Sequence, residues 1–419
     1  MVFSDEQVML TLAGLAYRGC HDVLHDGQHD LRVRAAVQAG LDELAPVRGE
    51  WTLVWGPVTS HGPRELVDTN AMYVVRHARE PARYVVALRG TNPVSLSDWV
   101  FGDFWVNAVV PWPYAKPGAG VAVSASTALG LAALQTMRSR PAGQRAAGLV
   151  ASVMARVGGL FRRAGAVAGR LPRAPLSVLR GQLNAQVTRL VASWQDAALR
   201  EGGLEAARGK PVAAGRPLPT LFRPRPLPGP RPDAGADLVM FLAAEAAGAA
   251  APLDITVTGH SKGAALAQTV ALWLREALDA PDERWDAGRG ARVRCHVFAG
   301  FTPGNAAFAG RFEERLGGDH HHVRNAHDIV THAWQVEDLR RIPGLYGART
   351  AIFRPVVESI VSGTAAFGYR HVQDGVRRIE ATLMPSRPFA EEFVYQHLDG
   401  YVDQLGLRAA GVDALKFFF

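Results

Sequence analysis

Apolar residues fall in short β-branched runs at both ends of this chain, and the runs alternate with longer stretches of helical period. Residues 51–55, 71–77 and 83–88 read as strands. The last contains Tyr-Val-Val-Ala-Leu, which suits a strand buried on both faces. Residues 104–110 read as extended, ahead of Pro111-Trp112-Pro113, and a Gly/Ala-rich helix is predicted over 121–137. A helix over 237–247 leads to the run Leu-Asp-Ile-Thr-Val-Thr at 253–258, a buried strand. From Ala264 to Leu278 there are few helix breakers, so a helix follows. Residues 292–298 and 322–325 are further strands. Residues 350–353, 365–372 and 376–383 read as a hairpin-like extension, with Asp374-Gly375 supplying the turn. A last helix covers about 398–407. At the other end, Ser4 followed by Gln7 and the stripe Val8, Leu10, Leu12, Leu15 reads as a capped amphipathic helix. Strands alternating with helices imply an α/β fold, a mainly parallel sheet covered on both faces.

The middle of the chain departs from that pattern. Leu149, Val153, Val157, Leu160 and Phe161 form one apolar stripe, and Leu176, Leu179, Leu183, Val187, Leu190 and Trp194 another. Residues 211–232 hold eight prolines, a polyproline-like linker that excludes helix. Charge separates the same region. Residues 138–231 carry 17 Lys/Arg against 3 Asp/Glu, a surplus of 14 in a chain of net charge +7, so the remainder is acidic by 7. We read residues 1–419 as one catalytic domain with a basic, helical and Pro-rich insertion at 138–235. Three readings of its stripes stand: helices packed on the body, a cap over the site, or an interfacial anchor with arginines on anionic headgroups. Nucleic-acid binding is not expected, because no run of stacking aromatics interleaves the arginines, Trp194 and Phe222 being too few.

Hydrophobic residues make up 48% of the chain and charged ones 20%, ample for a packed core. Cys20 and Cys295 are the only cysteines, and their spacing suits neither a disulfide scaffold nor a metal centre. The N-terminus has no basic region ahead of an apolar run, and no apolar stretch reaches membrane-spanning length. The expectation is a soluble protein, cytoplasmic or exported without a cleavable signal. No haem, iron–sulfur or zinc signature appears, so neither cofactor nor metal is expected. Asp319-His320-His321-His322 lacks a spaced partner ligand and reads as a solvated turn.

The chemistry concentrates at Gly259-His260-Ser261-Lys262-Gly263, between the strand at 253–258 and its helix. Strand, G-x-S-x-G, helix is the nucleophile elbow of serine hydrolases. The glycines permit a sharp turn that lifts the serine oxygen out of the strand. The helix then aims unpaired N–H groups at the same spot, where an oxyanion can be held. In an α/β-hydrolase the acid follows the serine and the histidine follows the acid. Asp328 stands just past the strand at 322–325, on the same sheet edge as the elbow. Three histidines come later. His332 is only four residues on, and would need a tight fold-back. His371 reads as a mid-strand residue. His397, at a loop-to-helix junction, projects most freely and is the preferred base, with His371 the alternative.

These residues resemble the class 3 lipases, the fungal-lipase-like branch of the α/β-hydrolases. The matching pieces are Arg89-Gly90-Thr91, Asp98-Trp99 and Asp103; Gly259 to Ala264; Thr302-Pro303-Gly304-Asn305 with Phe308; Asn325 with Asp328-Ile329-Val330; and His397-Leu398 with Tyr401. They occur in the family's order outside the insertion. The resemblance implies Ser261 as nucleophile, Asp328 as acid, His397 as base, and Thr91 with the Lys262 amide as oxyanion donors. It implies hydrolysis of lipid esters, as a triacylglycerol lipase or esterase, through an acyl-enzyme. Two departures are Lys262, where the family often has Leu, and Thr331, where Pro is common. A phospholipase A1-type enzyme or exported effector acting on anionic membranes is one alternative. An inactive membrane- or partner-binding scaffold is the other. Acyl length, head group and oligomeric state have no signature in the sequence.

Overall fold

The computed structural model describes residues 2–20, 29–60, 70–92, 106, 108–116, 118–139 and 235–418. The insertion's two stripes and proline run, together with Asp98, Trp99 and Asp103, lie outside the described residues. Seven strands form the main sheet in the order β1-β2-β3-β6-β7-β8-β9. They are β1 Trp51–Ser60, β2 Asn70–His77, β3 Arg83–Leu88, β6 Asp254–His260, β7 Arg292–Phe298, β8 His320–Asn325 and β9 Val376–Ile379. β1, β2 and β3 pair antiparallel, and every neighbour from β3 to β9 is parallel. A separate two-stranded ribbon joins β4 Val109–Pro111 to β5 Ala122–Ser124.

The period-2 alternation of the strands feeds two cores. In β3, Tyr84, Val86 and Leu88 enter one cluster, while Val85 and Ala87 enter the other. The first face is covered by α3 Ala125–Thr136, α4 Leu238–Gly248, α5 Lys262–Ala277 and α6 Ala306–Leu316. Of the sixteen residues of α5, only Arg275 escapes burial, as befits a helix sandwiched between the sheet and its neighbours. The second face is covered by α1 Asp5–Leu15, α2 His29–Glu43 and the C-terminal segment. The Ser4–Gln7 capping box opens α1 as its sequence predicts. Asp237 caps α4, its carboxylate accepting from the Met240 N–H at 2.9 Å.

Ser139 and Ala236 meet on this body. The two residues exchange backbone hydrogen bonds of 2.9 and 3.2 Å, and Arg138 lies 3.9 Å from Asp237. The two ends of the intervening stretch therefore meet at a single place on the fold.

Several sequence expectations need correction. The helix predicted at 121–137 starts only at Ala125, because 122–124 pairs as β5. Residues 350 and 351 end one short helix, and 352–353 turn into α7 Arg354–Thr364. Their β-branched content suggested a strand, but Pro355 sits in the first turn, and Val357 and Val361 share a buried face at helical spacing. Residues 365–372 form a 3-10 turn and a single bridge, so no hairpin exists; β9 instead joins β8 in parallel. The helix α2 has no counterpart in the sequence reading. His320–His322 is not a solvated turn but part of β8, with His320 and His322 buried and His321 exposed. Cys20 and Cys295 are both buried, and they form no disulfide with each other.

Candidate active site

Ser261 sits between β6 and α5 with φ +61° and ψ −130°, a strained conformation for a residue with a side chain. Its N–H donates to the Phe298 carbonyl at 3.0 Å, and its own carbonyl accepts from the Ala264 N–H at 2.9 Å. The two motif glycines are required by close backbone approach. A Cβ on Gly259 would stand 2.2 Å from the Gly263 carbonyl oxygen, and one on Gly263 would stand 2.6 Å from that of Leu88. The elbow thus packs directly onto the end of β3. Thr91 lies just beyond that end, since Leu88 pairs in register with Gly259. Thr91 and Lys262 are both buried, and Lys262 opens α5, where backbone N–H groups have no intrahelical acceptor. Arg89, two residues before Thr91, is fully buried, and its guanidinium has no hydrogen-bond partner among the described residues.

Asp328 caps a 3-10 turn at Ile329–His332 and is wholly buried. Its Oδ1 accepts from the Val330 N–H at 3.0 Å. Its Oδ2 is 2.9 Å from His397 Nδ1 and accepts from the Tyr401 hydroxyl at 2.9 Å. A buried carboxylate needs such donors to remain charged. His397 does not stand at a loop-to-helix junction. It lies in a π-helical turn, Tyr395–Asp399, between α8 Phe389–Val394 and α9 Gly400–Gln404. Turns of this kind, which widen a helix by one residue, are frequent at functional sites. His397 and Tyr401, four residues apart on one helical face, converge on the same carboxylate. That spacing was available in the sequence as the signal for Tyr401.

The acid and the histidine are fastened by a second polar set. Asn325 Nδ2 donates to the Gln396 carbonyl and to Gln396 Oε1, both at 2.8 Å, and the Tyr401 hydroxyl accepts from the Asn325 N–H at 3.0 Å. Gln396 Nε2 in turn donates to Glu392 Oε1 at 2.7 Å. Neither alternative histidine meets the Asp328 carboxylate. His332 Nδ1 is 3.0 Å from the Asp328 backbone carbonyl instead, and His371 is buried 3.8 Å from Asp338.

The elbow touches the histidine-bearing turn through His260. Its Nε2 lies 2.8 Å from the His397 carbonyl, its Nδ1 lies 3.1 Å from the Tyr17 hydroxyl, and the two imidazoles are 4.7 Å apart between centroids. Burial, reinforced by repulsion from His397, drives His260 well below the ordinary histidine range, so its ring is neutral. Sequence reasoning placed His260 only as an elbow residue; its bond to the neighbouring turn follows from the third dimension. Burial, then the Asp328 charge, raises the Tyr401 hydroxyl well above the usual phenol range, which keeps it a donor.

Residues 243–337 match the family model of Lipase (class 3), a span that includes Ser261 and Asp328 and stops before His397. Among solved structures, M37 lipase is similar over 99% of this chain and 97% of its own, with a TM-score of 0.68 at 22% identity. The native Rhizomucor miehei lipase propeptide complex covers 97% of this chain and 84% of its own, with a TM-score of 0.39 and 12% identity. The lipase from Rhizopus microsporus var. chinensis covers 80% and 71%, with a TM-score of 0.31 and 13% identity. No curated protein sequence matches this chain. The fold shared with M37 lipase along nearly the whole length is that of an α/β-hydrolase, and within it the segment carrying the elbow and the acid loop is similar in sequence to the class 3 lipases.

Proposed function

We propose that Ser261, His397 and Asp328 act as a catalytic triad that cleaves lipid esters, triacylglycerols among them, through an acyl-enzyme. The observation that carries this is the 2.9 Å contact between His397 Nδ1 and the fully buried Asp328 carboxylate. It fixes the imidazole tautomer and leaves Nε2 to accept the Ser261 proton as the hydroxyl oxygen attacks the ester carbonyl. The same nitrogen then returns the proton to the leaving alcohol, and water repeats the sequence to release the fatty acid. The Lys262 and Thr91 amides hold the oxyanion, and losing one such donor costs about 10²–10³ in turnover. Tyr401 keeps the acid oriented, and His260 ties the turn that carries the base to the elbow. Serine-directed phosphonate labelling tests the assignment. The wild-type chain reacts once, at Ser261, while Ser261→Ala neither reacts nor hydrolyses p-nitrophenyl esters. Labelling elsewhere, or a working Ser261→Ala variant, sinks the triad and leaves the inactive-scaffold alternative.

A second reading concerns where the enzyme works. The surplus of 14 positive charges within residues 138–231 supports contact with anionic lipid surfaces, and with it a phospholipase A1-type substrate. The meeting of Ser139 with Ala236 supports treating that segment as one appended unit of the single domain. Among the described residues, no helix is long and apolar enough to cross a membrane. Rates on phosphatidylglycerol against phosphatidylcholine vesicles, at low and high salt, decide it. A preference for the anionic surface that salt removes supports this reading. Equal rates overturn it.

A further inference from the structure

Three metal-ligating side chains from three different elements converge on the α1 face of the sheet. His296 on β7 and His321 on β8 are register partners in the parallel ladder, so their side chains leave the same face. Their rings stand 5.2 Å apart between centroids. Glu6, in the first turn of α1, approaches both, and one ligand atom from each residue lies within 4.8 Å of those of the other two.

His296 supplies an independent observation. It is 7% exposed, and its Nε2 is buried with no hydrogen-bond partner among the described residues. An orphaned buried nitrogen calls for a partner beyond the described residues. The stacked Phe298 ring, 5.1 Å away, backs the imidazole on its own strand. One oxygen of Glu6 is held by Arg377 on β9, which leaves the other for an ion; tethering of this sort orients metal-bound carboxylates. Two further charges lie near His296, and both are paired: Asp5 with Arg83 at 2.8 Å, and Arg294 with Asp254 at 2.9 Å.

We propose that Glu6, His296 and His321 bind one divalent transition-metal ion of the zinc class, clipping α1 to β7 and β8. Two imidazoles and a carboxylate suit zinc, cobalt or nickel rather than calcium or magnesium. Bonds of about 2.0–2.1 Å to tetrahedral zinc put ligand atoms about 3.4 Å apart, and rotation of the exposed His321 ring closes the site to that size. Three protein ligands leave a fourth position for water. The clip braces β7 behind the elbow, because the next residue on that face, Phe298, accepts the Ser261 N–H. The local sequence Asp319-His320-His321-His322 offers no such set, since strand alternation turns His320 and His322 to the opposite face from His321.

Calorimetric titration of the chelator-stripped full chain with zinc tests the proposal, with cobalt absorption as a second readout. One ion per chain is expected, with visible cobalt bands and a zinc-dependent rise in Tm. His321→Ala, at an exposed position, weakens binding by about tenfold or more and removes the Tm rise, and Glu6→Gln does the same. His397→Ala leaves zinc binding intact, which separates the site from capture by the imidazole beside Asp328. No uptake at roughly 100 µM zinc, affinity unchanged in both His321→Ala and Glu6→Gln, or uptake lost in His397→Ala would each overturn it.

Discussion

Asp328 and His296 are both buried polar groups near one sheet, and their surroundings are opposite. Asp328 meets donors at both oxygens: the Val330 amide on one, His397 and the Tyr401 hydroxyl on the other. His296 has a ring nitrogen with no partner among the described residues. The first arrangement is closed, and its purpose is to hold one ring in one orientation. The second leaves a nitrogen without a partner among the described residues, at the place where the proposed ion would bind.

Breaking the closed side has the largest effect. Asp328→Asn keeps the shape of the acid but favours the wrong imidazole tautomer, and kcat is expected to fall roughly 10⁴-fold with the far-ultraviolet circular dichroism unchanged. A loss of tenfold or less means that Asp328 does not orient the base. Acid stability comes next. His260, His296, His320, His322, His332 and His371 are all pushed down, chiefly by burial, His320 to about 4 and His296 to about 3. Below about pH 6.5 the unfolded chain binds protons that the folded chain refuses. Stability is therefore expected to fall as pH drops from 6.5 toward 4, by up to about 1.4 kcal/mol per pH unit for each histidine. Urea midpoints across that range measure the slope. His296→Phe should make it shallower by one proton, whereas a slope unchanged by that substitution means His296 is already protonated in the fold.

Smaller changes sharpen the contrast. Tyr401→Phe strips one donor from Asp328 and orphans the Asn325 N–H, and is expected to cost about 1–3 kcal/mol in urea unfolding. A neutral result places water at that oxygen. Ser4→Ala removes half of the capping box that opens α1, and about 0.5–1 kcal/mol is expected to go with it. The same frayed turn carries Glu6, so zinc affinity should weaken in parallel.

Legibility in the sequence followed how local the determining contact was. The β3 strand was readable to the residue, because a run buried on both faces needs no knowledge of its neighbours. The elbow was readable because its glycines answer to contacts within a few residues, Gly259 against Gly263 above all. Asp328 and His397 were located by chain order and come together as expected, but the π-helical turn under His397 was not visible, since a single widened turn leaves no mark in periodicity. Residues 350–353 were misjudged where β-branched side chains outvoted the nearby Pro355, and tertiary packing decided for helix in the segment that follows. The histidine run misled because its meaning lies across strands: only the pairing of β7 with β8 and the placement of α1 reveal which ring faces which.

The bonded pair at Ser139 and Ala236 brings the two ends of a long stretch of chain to one point. Among the described residues, every ladder of the main sheet runs between segments outside that stretch, so a tight reverse turn joining the pair keeps all of those neighbours. A chain shortened this way is expected to refold around the same sheet, with its net charge turned from positive to negative.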